Sequence, residues 1–160
     1  MKKILIISFT LLLGFMMSCD KMKDPVVDYV NLGKTLPGEW WVTYTVDGVD
    51  KGGHSVLTTF NTADNTSTDM WITDNGNFWQ FQVKVNADVN SNSFSVIKGV
   101  DIVWDDSTSV SNGKIFIDGG ITKAGNVADS IYMEIEWASD PGTIYVCSGV
   151  RRTGFLDDEY

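Results

Sequence analysis

Residues 37–44 read Pro-Gly-Glu-Trp-Trp-Val-Thr-Tyr, and this stretch predicts the start of a first β-strand. The Pro-Gly pair favours a turn, and the aromatic and β-branched residues that follow it favour extended chain. Adjacent residues of a strand point to opposite faces of the sheet. We therefore expect one of Trp40 and Trp41 to lie in the interior and the other to need separate cover.

The rest of the chain has the pattern of further short strands separated by turns. Residues 79–85 give the clearest alternation, with apolar side chains at every odd position. The clearest hairpin turn is at residues 74–77, and a second Asn-Gly pair at 112–113 is predicted to lead into another strand. The remaining predicted strands cover residues 55–60, 68–73, 94–97, 100–104, 114–122, 130–137 and 143–152.

These strands predict an all-β fold in a chain of 160 residues. No convincing helical periodicity follows the N-terminal segment. Nearly every connection is short, and closure of the sheet removes exposed edges, so we expect an antiparallel up-and-down β-barrel of about eight strands. A β-sandwich is the alternative.

Charge and cysteine content exclude some classes of partner. The chain has 21 acidic and 12 basic residues and a formal charge of −9, which argues against nucleic acid and against docking on anionic lipid through a basic face. Its two cysteines, Cys19 and Cys147, have different predicted fates, so no disulfide framework is expected.

The N-terminal segment predicts export and lipid anchoring. Lys2 and Lys3 precede an uncharged apolar run over residues 4–18, typical of a signal peptide. The run ends Met16-Met17-Ser18-Cys19, which resembles the lipobox of bacterial lipoproteins, although Met16 stands where Leu is usual. We expect a signal peptide over 1–18, a tether over 19–36 after lipidated Cys19, and the barrel domain over 37–160. The expected location is the envelope of a Gram-negative bacterium, at the outer membrane or cell surface; an ordinary secretory signal is the alternative.

Two motifs at opposite ends of the domain carry a resemblance to known families. Gly38-Glu39-Trp40 resembles the Gly-x-Trp signature of lipocalins and other calycins, in which an Arg of the last strand stacks over that Trp. Arg151 and Arg152 stand where this pairing requires. The whole mature domain resembles a family of small lipoproteins described as lipid-binding putative hydrolases, which combine a lipobox, a Gly-Glu-Trp-Trp opening and an Arg-Arg-Thr-Gly-Phe ending. The resemblance implies a lipocalin-like fold, an apolar ligand, and barrel closure by Trp40 with Arg151 or Arg152.

The apolar strand faces offer a wall for such a ligand. An eight-stranded barrel holds either its own side chains or one small ligand. The ligand is expected to be a lipid or another small apolar or amphipathic molecule, and a filled core is the alternative. In that case the protein would be an accessory lipoprotein that binds a protein or glycan through exposed Trp41, Trp71 and Trp104. The predicted wall residues are Met70, Trp79, Phe81, Met133, Ile135 and Trp137.

The sequence predicts no catalytic residue, cofactor or metal site. His54 is the only histidine, and its neighbour Ser55 would point to the opposite strand face. Cys147 could act as a nucleophile with His54, but a lone cysteine on a strand is typical of inert packing. Glu134 and Glu136 are expected to face solvent. The calcium-loop start at residues 88–92 lacks the required Gly and the final Glu, and it is interpreted as a hairpin turn.

Overall fold

The computed structural model describes residues 31–160, which form nine β-strands and a short 3-10 helix at Leu156–Asp158. Each strand from β3 onward pairs antiparallel with the next, β3 pairs with β1, and β9 also pairs with β1. This last pairing closes an eight-stranded barrel, and the short β2 is an added arm on β1. The predicted all-β, up-and-down barrel is therefore confirmed. The strands are β1 (Gly38–Val46), β2 (Val49–Asp50), β3 (Ser55–Asn61), β4 (Asp69–Thr73), β5 (Gln82–Asp88), β6 (Ser93–Asp101), β7 (Asp106–Ile121), β8 (Val127–Trp137) and β9 (Tyr145–Arg151).

We call the two ends of the barrel upper and lower, with β1 running from the lower to the upper end. The upper end carries the β1–β3 connection and the segments 74–81, 102–105 and 138–144. The lower end carries residues 31–37, the C-terminal tail 152–160 and the segments 62–68, 89–92 and 122–126. The chain therefore enters the described structure and leaves it at the same end.

The interior follows the alternation of the strands. In β1 every second side chain is buried, and Trp40, Val42 and Tyr44 have no exposure to solvent. Leu32 and Leu36, within the predicted tether, are also buried against this core. The predicted signal peptide and Cys19 lie outside the described residues. Within residues 31–160, no helix has the length and hydropathy needed to cross a membrane.

The predicted strand from residue 79 begins later in the structure, because β5 starts at Gln82. The backbone N–H groups of residues 78–81 donate to the Asp74 side chain instead of to a neighbouring strand. The alternation of apolar and polar residues continues through this loop, but the hydrogen bonding between neighbouring strands does not. The expected fourth strand was therefore wrong at its N-terminal end.

Two other strand boundaries were also wrong. The predicted strands 94–97 and 100–104 are one strand, β6, whose register shifts around Lys98 with φ of 50°. The Asn112-Gly113 pair does not precede a strand but lies inside the 16-residue β7, at a second register shift. A bulge and a hairpin turn both favour Asn at positive φ, so sequence alone does not separate them.

Candidate functional site

Asp74 organises the loop that covers part of the upper end. Its side chain is fully buried, and it is the first residue after β4. The carboxylate accepts hydrogen bonds of 2.7 to 3.0 Å from five backbone N–H groups, those of Gly76, Phe78, Trp79, Gln80 and Phe81. A carboxylate offers about four lone-pair sites and no donor, so five N–H groups saturate its oxygens. Asp74 thereby fixes where the aromatic side chains of the loop lie.

The aromatic side chains of this loop stack on the upper part of the core. Phe78 stacks on Tyr44, with ring centroids 4.2 Å apart and planes 7° apart. Trp79 stacks on Trp137 of β8 at 5.1 Å and 21°. Tyr145 of β9 meets the Trp137 ring edge-on at 4.7 Å. The upper end therefore has an aromatic floor assembled from the loop, β1, β8 and β9.

A pocket of about 510 Å³ opens above this floor. Its aromatic lining is Trp79, Trp137 and Trp104, and Trp104 is 60% exposed at its rim. The Trp104 Nε1–H donates to the Trp79 carbonyl at 3.3 Å, which joins the β6–β7 turn to the Asp74 loop. The volume lies within the range of small-molecule sites, about 300–1,000 Å³.

The polar wall of the pocket comes from the end of β6 and the start of β7. Asp101 is buried, and its Oδ1 accepts hydrogen bonds from the N–H groups of Gln82 and Val103 at 3.2 and 3.0 Å. Its Oδ2 receives only the longer bond from the Thr108 hydroxyl, at 3.4 Å, among the described side chains. The other polar lining residues are Asp105, Asp106, Ser107, Thr108 and Ser139.

The six predicted wall residues separate into two groups in the structure. Trp79 and Trp137 line the pocket, and the Phe81 ring packs edge-on against Trp137 at 5.7 Å. Phe81 and Trp137 are themselves buried, and the remaining three are buried in the same core but do not line the pocket: Met70, Met133 and Ile135. A ligand in this pocket would contact the first pair directly. Sequence analysis missed Asp101, because only the turn after β6 brings it beside the aromatic floor.

The three tryptophans predicted to form an exposed patch lie in three separate places. Trp104 lines the upper pocket. Trp71 is half-buried in a groove of about 490 Å³ on the outer surface of β4, β5 and β6. Trp41 is half-buried under the C-terminal tail. They do not form one continuous surface.

Trp40 and Arg151 meet at the lower end of the barrel. Trp40 is fully buried, and the Arg151 guanidinium lies over its ring, 4.3 Å from the centroid. Arg151 also donates to Asp129 at 3.1 Å and to the carbonyls of Pro37 and Thr35. The guanidinium therefore connects β9, β8 and the incoming chain across the barrel floor.

Gly38 leaves the space that this guanidinium occupies. A Cβ atom at position 38 would overlap the guanidinium of Arg151, whereas its distance to the Trp40 ring would be an ordinary van der Waals contact. The Gly and Trp of the Gly-x-Trp stretch therefore serve one contact, because the glycine admits the arginine that stacks on the tryptophan.

Arg152 lies over Trp41 on the outside of the barrel rather than over Trp40. Its guanidinium is 5.5 Å from the Trp41 ring and forms a salt bridge of 2.7 Å with Glu159. Tyr160 meets Trp41 edge-on at 5.6 Å and stacks on His54 at 3.5 Å. The C-terminal tail thus supplies the separate cover that the second tryptophan needs.

Asp158 fastens this tail to the β7–β8 turn. The carboxylate is buried and accepts hydrogen bonds from the Thr153 hydroxyl at 2.7 Å and the Ala124 N–H at 2.9 Å. Hydrogen bonds from the hydroxyls of Thr122 and Thr153 and from the Ala124 N–H lower the pKa of Asp158 below its ordinary value. A lowered pKa means that the folded state favours the charged carboxylate.

We therefore expect Asp158→Asn to lower the Tm at neutral pH by an amount that shrinks as the pH falls below about 4. The contribution of a carboxylate with a lowered folded-state pKa is present above the unfolded-state pKa and is lost as the pH falls through the folded-state value. Thermal melts of both proteins from neutral to acid pH measure the difference. Asp157→Asn, at the exposed neighbouring position, is the control and should change the Tm little at neutral pH. A difference that stays constant down to the acid limit would contradict this role of Asp158.

The residues considered for catalysis lie on different sides of the barrel wall. Cys147 is fully buried inside the barrel, and burial raises the pKa of its thiol far above the ordinary value. His54 is exposed and stacks on Tyr160 outside the barrel, so the two do not form a nucleophile–base pair. Glu134 and Glu136 lie on the outer face of β8. Among residues 31–160, no group of three or more His, Cys, Asp or Glu side chains is placed to hold a metal ion.

The closed barrel described above agrees with the result of a comparison with known protein families. Residues 28–156 match the family model of the lipid-binding putative hydrolases, and this range includes the closed barrel, the upper pocket and the Arg151 that stacks on Trp40. Comparison with curated proteins gives no match. The match spans most of the chain, and the chain belongs to the family of lipid-binding putative hydrolases.

Proposed function

We propose that this protein is a lipid-anchored envelope lipoprotein that binds a small amphipathic, lipid-like ligand in the upper pocket. Membership of a lipid-binding family supports a lipid ligand. The observation that carries the proposal is the open pocket of about 510 Å³ with Trp79, Trp137 and Trp104 in its lining. Indole rings combine a large apolar surface with an N–H donor, which suits a ligand that has both an apolar and a polar part.

The interior of the barrel supports placing the ligand at the end rather than in the middle. Met70, Met133 and Ile135 have no exposure to solvent and pack within one core cluster. Protein interiors are close-packed, and a ligand cannot enter such a cluster without displacing side chains. The pocket above Trp137 needs no such displacement.

The position of the chain entrance fits an anchor at the other end. Leu32 and Leu36 are buried at the lower end, and Arg151 binds the carbonyls of Thr35 and Pro37 there. An acylated Cys19 would therefore join the barrel at its lower end, and the pocket would open on the side away from the anchor. The lipobox-like residues 16–19 support this arrangement.

Trp79→Ala is expected to weaken binding of an uncharged fluorescent lipid probe, such as a labelled fatty alcohol, by about tenfold or more. The substitution removes the ring that stacks on Trp137 and forms part of the pocket wall. Trp71→Ala, in the outer groove, is the matched control and should bind the probe like the unsubstituted protein. Probe titration followed by fluorescence measures both. Equal binding by the two variants would show that the probe does not bind in the upper pocket. Absence of probe binding by the unsubstituted protein would refute the proposed ligand-binding function.

The anchoring half of the proposal has its own test at Cys19. Cys19→Ser is expected to abolish incorporation of labelled fatty acid during expression and to shift the protein from the membrane fraction to the soluble fraction, since serine has no thiol to carry the lipid. Cys147→Ser is the control, because the Cys147 thiol is buried in the barrel. Label retained in the Cys19→Ser protein would contradict anchoring at this residue.

A further inference from the structure

The charges at the upper pocket have one sign. Asp101, Asp105 and Asp106 line it, and no Lys or Arg is among its lining residues in the part of the chain that the structure describes. Three carboxylates around one opening attract a cation and repel a fatty-acid carboxylate or any other anion. The polar end of the ligand is therefore expected to carry positive charge.

The aromatic lining favours the same sign of charge. An indole face carries negative potential, and a cation within about 6 Å of the ring is attracted by about 0.5–2 kcal/mol. The pocket brings together Trp79, Trp104 and Trp137, which is the kind of aromatic surface that recognises quaternary ammonium groups. Aromatic rings and carboxylates together favour an ammonium over a metal ion, because the rings offer no ligand atom.

Two of the residues that line the pocket have buried polar atoms with unused hydrogen-bonding capacity. The Trp137 Nε1–H is buried and has no hydrogen-bond partner among residues 31–160. A buried donor without a partner is costly, and a ligand with an acceptor oxygen would satisfy it. Asp101 is 2% exposed and its Oδ2 holds only the long bond from Thr108, so this oxygen can accept a further hydrogen bond or face a cation.

We propose that the upper pocket selects an ammonium-bearing headgroup that has an acceptor oxygen close to the cation, as in an amino-alcohol phosphate or ester. This inference rests on the proposed function and adds its headgroup class. The ammonium group lies among the tryptophans and the Asp101, Asp105 and Asp106 carboxylates, and the acceptor oxygen receives the Trp137 Nε1–H. The same chemistry occurs in a zwitterionic lipid headgroup and in a free choline-type compound.

The test compares ligands that differ in charge at nearly constant shape. The full chain is titrated with choline and with 3,3-dimethylbutan-1-ol, in which carbon replaces the charged nitrogen, and binding is followed by the indole N–H signals in ¹H–¹⁵N spectra. Choline is expected to bind about tenfold more tightly than the neutral alcohol. Dodecylphosphocholine and dodecyl maltoside, both below their micelle concentrations, compare a zwitterionic with an uncharged headgroup on the same alkyl chain.

A matched pair of variants tests the role of the carboxylates. Asp105 and Asp118 are both exposed, at opposite ends of β7, and both have φ of 53°, a conformation that Asn tolerates. Asp105→Asn is expected to weaken choline binding about threefold at low salt and to affect binding of the neutral alcohol less. Asp118→Asn removes the same charge far from the pocket and should change neither.

Each outcome decides between specific alternatives. Tighter binding of dodecylphosphocholine than of choline, with a downfield shift of the Trp137 indole signal, supports the inference and identifies a lipid as the source of the headgroup. Equal binding of those two ligands supports the ammonium site and identifies a free compound. If dodecyl maltoside binds as tightly as dodecylphosphocholine, and the neutral alcohol as tightly as choline, the headgroup inference is overturned. The proposed function then still stands. If none of the four ligands binds, both fail.

Discussion

Replacing Asp74 by Asn is expected to lower the free energy of unfolding by about 3 kcal/mol or more. The Asp74 carboxylate is fully buried and accepts hydrogen bonds from five backbone N–H groups. An amide of the same shape has one oxygen, and its NH₂ group would face donors that it cannot bind. Urea denaturation followed by tryptophan fluorescence measures the loss, because Trp79 lies in the loop that Asp74 orders.

The same substitution is expected to weaken ligand binding at the upper pocket, since Trp79 would lose its fixed position over Trp137. Asp64→Asn is the control for charge, because Asp64 is exposed and lies at the lower end of the barrel. It should unfold at nearly the same urea concentration as the unsubstituted protein. If Asp74→Asn lowers the free energy of unfolding no more than Asp64→Asn does, the five hydrogen bonds do not hold the loop.

Arg151→Ala is expected to cost about 2–4 kcal/mol of unfolding free energy. It removes the cation from the Trp40 ring and deprives Asp129 Oδ2 and the carbonyls of Pro37 and Thr35 of the hydrogen bonds that Arg151 donates. Arg151→Lys keeps the charge but not the planar fork, so it should recover only part of the loss. Chemical denaturation of the three proteins gives these differences directly.

Gly38→Ala provides a steric test of the same contact. A Cβ at position 38 would overlap the Arg151 guanidinium, so the substitution should lower the free energy of unfolding when Arg151 is present. In the Arg151→Ala background the space is free, and the cost of Gly38→Ala should nearly vanish. A double-mutant cycle measures this coupling. Additive costs would show that Gly38 is required for some reason other than the arginine.

The closed barrel could be predicted because its determinants are local and repeated. Alternation, short turns and the Gly-x-Trp entrance each act over a few residues, and they agree on an antiparallel barrel. The contact of Trp40 with Arg151 could be anticipated only through the family resemblance. The role of Arg152 could not, because its position over Trp41 depends on a tail that folds back through Glu159 and Tyr160.

The loop at residues 74–81 could not be predicted, because the buried Asp74 side chain accepts the hydrogen bonds that a neighbouring strand would otherwise accept. Residues 79–85 alternate without interruption, yet β5 begins only at Gln82. Asp74 takes the backbone donors that would otherwise pair with a strand, and the sequence signals it only as a common turn residue. The Asn112-Gly113 pair misled for a related reason, since a bulge inside β7 has the same local preference as a turn.

The candidate site was accessible to sequence analysis only in part. Trp79 and Trp137 could be assigned to the interior from alternation, and the structure places both at the pocket. Met70, Met133 and Ile135 have the same alternation but lie deeper, because strand position rather than residue type separates the end of the barrel from its middle. The acidic wall needs the β6–β7 turn at residues 102–105, and residues 102–104 of this turn were predicted as strand.

The indole N–H signals of the protein test ligand binding at the upper pocket most directly. The chain has six tryptophans, of which Trp79, Trp104 and Trp137 line the pocket. Trp40, Trp41 and Trp71 lie at the lower end, under the tail and in the outer groove. Titration with dodecylphosphocholine below its micelle concentration is predicted to shift the first three signals and leave the other three in place. Shifts confined to Trp40, Trp41 or Trp71, or no shift at all, would contradict binding at this pocket.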